Sequence, residues 1–139
     1  MMKKLILLLL SVGLLMAEVE WRPSYDQAQA EAKKAQRPIL VLLVSHTCHW
    51  CRKLENRTLQ NPEVVEFINT HFVPVLVYRE DGGYPDTIHS SLVPTTFYLT
   101  PEGKYLLNPK RTMGYMEPMD YMSDMKLALK KFNTHRAPH

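Results

Sequence analysis

Runs of apolar residues, separated by polar turns, predict the strands of this chain. Three runs have the short length and the β-branched content that favour strands, at residues 39–44, 72–78 and 95–99. Pro74 interrupts the second run and favours an edge position for that strand. Residues 104–107 return after a Pro-Glu-Gly turn and predict a hairpin with the third run, and residues 18–21 predict a short edge strand.

Helix caps and apolar periodicity predict four helices between these strands. They span about residues 24–36, 49–59, 61–70 and 118–132. Ser24 and Gln27 match a capping box at the first start, and Asn61 followed by Pro62 is typical of another start. Strands that are joined through helices are expected to be parallel, whereas a hairpin is antiparallel. The order therefore predicts an α/β fold, with a central mixed β-sheet of four to five strands and helices on both faces.

The first 17 residues have the pattern of a secretory signal peptide. Lys3 and Lys4 give a positive start, an apolar run follows, and Ala17 is a small residue at the expected cleavage point. The apolar run is too short to span a bilayer comfortably. We therefore predict a signal peptide at residues 1–17 and one domain at residues 18–139, located in the periplasm or otherwise exported.

The charge balance argues against nucleic acid as a partner. The chain of 139 residues has 17 Lys and Arg against 14 Asp and Glu, a net charge of +3. Loss of Lys3 and Lys4 with the signal peptide leaves 15 basic residues against the same 14 acidic ones. The sequence has no basic stripe with interleaved aromatic residues, so we predict no nucleic-acid binding.

The two cysteines of the chain stand three residues apart, directly after the first core strand. A helix that starts near Cys48 places both sulfurs on one face, since residues three apart are neighbours there. Unpaired N–H groups and the helix dipole favour a thiolate at Cys48, so its pKa is expected to fall. We predict Cys48 as the attacking nucleophile and Cys51 as the resolving sulfur. His49 and Trp50, between the cysteines, are candidates for tuning the thiolate.

Other uses of a Cys pair fit the sequence less well. Haem attachment needs His directly after the second Cys, and Arg52 stands there. A structural zinc site needs four ligands, and the sequence has no second CxxC. Copper or zinc bound by Cys48, Cys51 and nearby His or Met stays an alternative, because methionine recurs at every third residue from Met113 to Met125. Packing of adaptable side chains in a helix accounts for the same methionines.

Two motifs together resemble the thioredoxin-like superfamily: CHWC after ILVLLV, and Val93-Pro94-Thr95 before TFYL. Within that superfamily, the chain is similar to small exported proteins with a CxWC motif. The resemblance covers about residues 21–132 and implies the thioredoxin fold. It also implies a cis peptide bond before Pro94, with Val93 and Thr95 beside it binding the backbone of a substrate. Trp50 would contact unfolded substrates or cover the disulfide.

Two features depart from ordinary thioredoxins. His49-Trp50 replaces the usual Gly-Pro between the cysteines, and Leu42 stands where thioredoxins have a buried Asp. Either the proton relay to the resolving cysteine is absent, or another group serves.

The motif and the resemblance together predict an exported thiol–disulfide oxidoreductase that uses no cofactor. Its expected partners are exported proteins with thiols or disulfides, and a membrane protein as the upstream redox partner. We expect the protein to be a monomer. The direction of electron flow is open, with a preference for reductase or isomerase chemistry. A metal-binding or chaperone module and a redox-inactive thioredoxin-like binding domain are the alternatives.

Overall fold

The computed structural model describes residues 17–136 of the chain. The predicted signal peptide lies outside these residues except for Ala17, which is exposed. Within the described range, no helix has the length and apolar character needed to cross a membrane.

A three-stranded mixed sheet forms the centre of the fold. Its strands are β1 (Ile39–Val44), β2 (Val73–Tyr78) and β3 (Thr95–Leu99), in the spatial order β2-β1-β3. β1 pairs in parallel with β2 and antiparallel with β3. Pro74 is tolerated because β2 lies at an edge of the sheet. The carboxyl end of β1 therefore lies between the end of β2 and the start of β3.

Four α-helices flank the sheet: α1 (Tyr25–Ala35), α2 (His49–Asn56), α3 (Pro62–His71) and α4 (Pro118–Arg136). The predicted starts of α1 and α3 are confirmed by their caps, since the Ser24 side chain accepts the Gln27 N–H and the Asn61 side chain accepts N–H groups of the first turn of α3. α2 ends earlier than predicted, because the chain tightens into a 3-10 helix at Thr58–Gln60.

α4 is longer than predicted and reaches α1. Its last residue, Arg136, donates a hydrogen bond of 2.9 Å to the Gln36 carbonyl. Gln36 is the C-cap of α1 and has a φ of 53°. Because β1 begins shortly after this cap, the contact lies near the amino end of β1, at the end of the sheet opposite to the Cys pair.

The prediction of four to five strands was wrong at the expected hairpin. Residues 104–107 return along β3, but a single bridge joins Leu99 to Tyr105. Asn108 caps a 3-10 helix at Pro109–Thr112, which turns the chain away before a ladder can form.

The expected N-terminal strand at residues 18–21 does not form either. Its backbone groups bind a side chain instead, because Asn69 of α3 donates to the Glu18 carbonyl over 2.8 Å and accepts the Glu20 N–H over 3.0 Å. A single bridge then joins Arg22 to β2.

Helices lie on both faces of the sheet, as predicted, and a hydrophobic core fills the space on each face. Alternate residues of a strand face opposite ways, and Ile39, Val41 and Leu43 pack on the α1 side. The other three residues of β1, Leu42 among them, pack on the side of α2, α3 and α4. Cys51 belongs to this second core, so the Cys pair is anchored in the packed interior.

Candidate active site around Cys48 and Cys51

Cys48 and Cys51 are joined by a disulfide at the start of α2. Cys48 is the N-cap of the helix, in an extended conformation. Cys51 lies one turn inside and is only 1% exposed, whereas Cys48 is partly exposed. The two sulfurs are therefore unequal: a reactant from solvent can reach Cys48, and Cys51 reacts within the protein.

The first turn of α2 supplies the electrostatics of the site. The Cys51 N–H donates a hydrogen bond of 3.1 Å to the Cys48 Sγ. The Arg52 N–H donates to the Cys48 carbonyl over 3.2 Å, which starts the helix. A thiolate that forms at Cys48 on reduction would accept the same N–H as a charge-assisted bond, at the positive end of the helix dipole.

A carboxylate from the end of β2 holds the turn that leads from β1 to Cys48. The Ser45 hydroxyl donates a hydrogen bond to Glu80, and the His46 N–H donates to the same carboxylate over 3.3 Å. The bond from Ser45 is the main reason that the pKa of Glu80 is lowered, so this group is ionised at neutral pH. Sequence reasoning missed Glu80. A signal was available, because the carboxyl ends of adjacent parallel strands lie side by side.

His46 closes this turn from the outside. Its ring stacks on Tyr78 with 3.9 Å between centroids and 3° between planes. Its Nε2 lies 2.9 Å from the Oδ2 of Asp81. These contacts, with those of Glu80, fix the backbone just before Cys48.

The segment Val93-Pro94-Thr95 faces the disulfide from the start of β3. The peptide bond between Val93 and Pro94 is cis, and the Val93 carbonyl oxygen lies 3.8 Å from the Cys48 Sγ. Pro94 is buried, and the Thr95 hydroxyl donates to the Leu92 carbonyl over 2.6 Å. The structure thus places these residues beside the Cys pair, and their binding of a substrate backbone stays a prediction.

Trp50 directly precedes Cys51 in the chain and is 51% exposed. Its ring lies 5.8 Å from the Tyr115 ring, and the Lys53 Nζ lies 4.8 Å and 4.9 Å from the two ring centroids. His49 is exposed and meets the edge of the Trp50 ring at 5.4 Å. Both residues present their side chains at the surface, and their tuning of the thiolate stays a prediction. Tyr115 was missed because no local motif marks it.

A strap, formed by residues 113–117, joins the two halves of the site. The Gly114 N–H donates to the Pro94 carbonyl over 2.6 Å. Thr58, which follows α2, donates its hydroxyl to the Met116 carbonyl over 2.5 Å. Gly114 has a φ of 87°, a conformation that a residue with a Cβ atom adopts at a cost. The strap therefore links the Pro94 turn to the end of the helix that begins at the Cys pair.

Leu42 stands where ordinary thioredoxins have a buried Asp, and its side chain cannot titrate. It is fully buried and pairs with Thr96 of β3. The Thr96 hydroxyl shares a hydrogen bond of 2.9 Å with the Tyr121 hydroxyl. Burial raises the pKa of Tyr121 well above its ordinary value, so this phenol is neutral. Neither partner of this pair can take a proton from a thiol at neutral pH.

Within residues 17–136, no group of three or more His, Cys, Asp and Glu side chains is placed to hold a metal ion. The recurring methionines do not share one surface. Met113 and Met116 lie in the strap, Met119 is 85% exposed, and Met125 is fully buried in α4. Helix packing therefore accounts for only part of this series.

A family model named Thioredox_DsbH, with the description "Protein of unknown function, DUF255", matches residues 14–129. Spermatogenesis-associated protein 20 of Rattus norvegicus is 36% identical over 78 residues. This match covers 56% of the chain and 10% of the rat protein, so the chain spans about a tenth of the length of this relative.

Solved structures share the fold. A protein described as "DsbH Oxidoreductase" is 25% identical, with a TM-score of 0.62, over 82% of this chain and 86% of that one. A thioredoxin from Thermus thermophilus is 18% identical, with a TM-score of 0.65, over 89% of this chain and 100% of that one. The fold is therefore that of thioredoxin, and the predicted resemblance to this superfamily is confirmed.

Proposed function

The chain belongs to the Thioredox_DsbH family of thioredoxin-like proteins, and from this premise we propose that it is an exported thiol–disulfide oxidoreductase. One observation carries the proposal: a disulfide joins the partly exposed Cys48 to the buried Cys51, with the Val93 carbonyl oxygen beside the Cys48 Sγ. The likeness to the DsbH oxidoreductase supports the same chemistry. The two sulfurs carry the electrons themselves, so the reaction needs no cofactor.

In the reductive direction, Cys48 attacks the substrate and Cys51 completes the transfer. The Cys48 thiolate attacks one sulfur of a substrate disulfide, and the other substrate sulfur leaves as a thiolate that takes a proton from solvent. Cys51 then attacks the Cys48 Sγ in the mixed disulfide. The Cys48–Cys51 bond forms again, the second substrate thiolate leaves, and two electrons have passed to the substrate. Oxidation of a substrate is the same sequence in reverse.

We propose that the substrate is an extended polypeptide that lies along the Val93-Pro94-Thr95 segment. The Val93 carbonyl oxygen is next to the Cys48 Sγ, where the backbone of a bound chain would run. Two large apolar side chains are exposed nearby in the chain: Trp50, between the cysteines, and Leu92, directly before Val93. This arrangement suits unfolded or partly folded proteins rather than one small molecule.

Carboxylates near Cys48 favour the reductase or isomerase direction, against the helix N-terminus and the basic Arg52 and Lys53 of α2. A stabilised thiolate makes a disulfide oxidising, because it favours the reduced form. The helix N-terminus acts in that sense. The ionised Glu80 and its neighbour Asp81, which bind the turn before Cys48, act against it. We propose that this offset keeps the potential nearer to that of a reductant.

The N-terminal sequence supports export, and export sets the partners. Lys3, Lys4 and the apolar run before Ala17 are typical of a signal peptide. The substrates that we propose are therefore exported proteins with thiols or disulfides, met by this protein as a monomer. A reductase in an oxidising compartment must be reduced again after each turnover. We propose a membrane protein as the source of those electrons.

Trapping of mixed disulfides tests the proposed function. In Cys51→Ser, the resolving sulfur is absent, so substrate proteins should stay attached to Cys48 through a bond that dithiothreitol releases. The matched control is the Cys48→Ser, Cys51→Ser double variant, which should capture none. If the single variant also captures none in an extract of the export compartment, the oxidoreductase proposal is wrong and a redox-inactive binding domain is favoured.

The reduction potential tests the direction separately. Equilibration of the Cys48–Cys51 pair in glutathione and dithiothreitol buffers should give a value nearer to about −270 mV than to about −120 mV. A value near the oxidising end would reverse the proposed direction but leave the oxidoreductase assignment intact.

A further inference from the structure

Cys51 has to lose a proton before it can resolve a mixed disulfide, and its surroundings offer little help. The side chain is 1% exposed, so solvent does not reach it directly. Leu42 occupies the strand position where thioredoxins carry an acid. A thiol is a poor nucleophile in its protonated form, so a nearby proton acceptor would speed this step.

Glu55 lies one turn after Cys51 on the same helix. Both are in α2, four residues apart, and residues at this spacing are neighbours on a helix face. Each Cα–Cβ bond of a helix tilts toward the N-terminus, so the Glu55 side chain leans back over the turn that carries Cys51. Sequence reasoning did not single out Glu55, although the spacing was visible.

A cavity next to the hydrophobic core of Cys51 connects Glu55 to solvent. Glu55 lines an open cavity of about 240 Å³, whose walls include Val19, Trp21 and Leu59. Val19 and Leu59 also belong to the hydrophobic core that contains Cys51. The cavity therefore borders that core and gives Glu55 a route for protons to bulk water.

Two charged side chains adjoin Glu55: Arg52 on its own helix, and Glu18 of the N-terminal segment, which lines the same cavity. Partial burial raises the pKa of Glu55, and the positive charge of Arg52 offsets only part of this rise. Among the described residues, no side chain makes a hydrogen bond or an ion pair with the Glu55 carboxylate, so the group is free to exchange a proton.

We propose that the Glu55 carboxylate accepts the proton of the Cys51 thiol, directly or through a water molecule of the cavity. This inference rests on the proposed function. The S–H bond of Cys51 breaks, the proton binds Glu55, and the Cys51 thiolate attacks the Cys48 Sγ. The substrate leaves as a thiolate, and Glu55 returns its proton to the cavity. In the oxidative direction, protonated Glu55 supplies the proton to Cys51.

The test separates the step of Cys51 from the step of Cys48. The reduced full-length protein is mixed with glutathione disulfide, quenched with acid at increasing times, and analysed by mass spectrometry for the mixed disulfide and the internal disulfide. In Glu55→Gln, formation of the mixed disulfide should stay within about twofold of the wild type. Its resolution should slow by about tenfold or more at pH 7, so the mixed disulfide accumulates.

The pH profile of the second step distinguishes a proton acceptor from a structural role. Between about pH 5 and pH 9, resolution in the wild type should rise with the titration of Glu55, whereas in Glu55→Gln it should rise only with the Cys51 thiol itself, at higher pH. Glu55→Asp keeps a carboxylate and should recover part of the wild-type profile. Glu66→Gln, an exposed change on α3, should alter neither step.

A second step in Glu55→Gln with the rate and pH profile of the wild type would overturn the role of Glu55. A profile that Glu55→Asp does not restore at all would overturn it too. A different result, in which the reduced wild type forms neither the mixed disulfide nor the internal Cys48–Cys51 disulfide with glutathione disulfide, would contradict the proposed function itself.

Discussion

Arg111 donates a hydrogen bond of 2.8 Å from Nε to the Oδ1 of Asp124, and this pair joins the 3-10 helix at Pro109–Thr112 to α4. The Asp124 side chain is almost fully buried, whereas Arg111 is more than half exposed. Arg111→Ala leaves the buried carboxylate without this partner and should lower the free energy of unfolding by about 1–3 kcal/mol, measured by urea denaturation at pH 7. Lys110→Ala, an exposed change next to it, should stay within about 0.5 kcal/mol of the wild type. Equal effects of the two changes would contradict the role of the ion pair.

The bond between Ser45 and Glu80 should appear as a pH-dependent part of the stability. The pKa of Glu80 is lowered in the folded protein, so its contribution is present above the unfolded pKa of about 4.3 and is lost as the pH falls through the folded value. Ser45→Ala removes the main cause. We expect this variant to be less stable than the wild type at pH 7, with a difference that narrows below about pH 4. Urea denaturation across this range measures the difference between Ser45→Ala and the wild type. The exposed change Ser123→Ala is the control and should show no such pH dependence. A difference for Ser45→Ala that stays constant with pH would contradict the role of the bond.

The contribution of Glu55 to stability should depend on pH in the opposite direction. Its pKa is raised by burial, so the folded state favours the protonated carboxyl below the unfolded pKa of about 4.3, and this advantage is lost as the pH rises through the folded value. Above that pH, the ionised carboxylate costs stability that Gln does not cost. We expect Glu55→Gln to melt at a higher temperature than the wild type at pH 8, and the difference to shrink toward pH 4. A lower melting temperature at pH 8 would contradict this prediction.

Tyr115 and Tyr121 should respond differently to loss of the hydroxyl. Among residues 17–136, the Tyr115 Oη is the one buried side-chain nitrogen or oxygen without a hydrogen-bond partner. Tyr115→Phe removes this unpaired group and should leave the free energy of unfolding unchanged or raise it by up to about 1 kcal/mol. Tyr121→Phe breaks the bond with Thr96 and should lower it by about 1–2 kcal/mol. Thermal unfolding of both variants makes the comparison, and an equal loss would show that the Tyr115 hydroxyl is bound.

Local signals predicted most of the fold. Caps at Ser24 and Asn61, and Pro118 at the start of α4, set the starts of helices through interactions within a few residues. The strand pattern was equally local. Pairing between segments was not, so residues 18–21 and 104–107 looked like strands although their backbones bind elsewhere.

Some residues of the candidate site were also predictable from local sequence, and others were not. The spacing of Cys48 and Cys51 at a helix start is written in adjacent residues, and the cis bond at Pro94 was expected from the resemblance. Glu80 and Tyr115 reach the site only through strand order and through the strap. Hydrophobic periodicity carries no information on such contacts between distant segments.

The length of α4 offers a practical handle on the protein. The helix begins directly after the strap, beside the active site, and its 19 residues extend for about 28 Å to the bond between Arg136 and Gln36. A tag or a solid support attached at this end of α4 therefore lies on the side of the domain opposite to Cys48. A surface coated with the protein through that end would present every Cys pair outward, ready to capture thiols from a flowing sample.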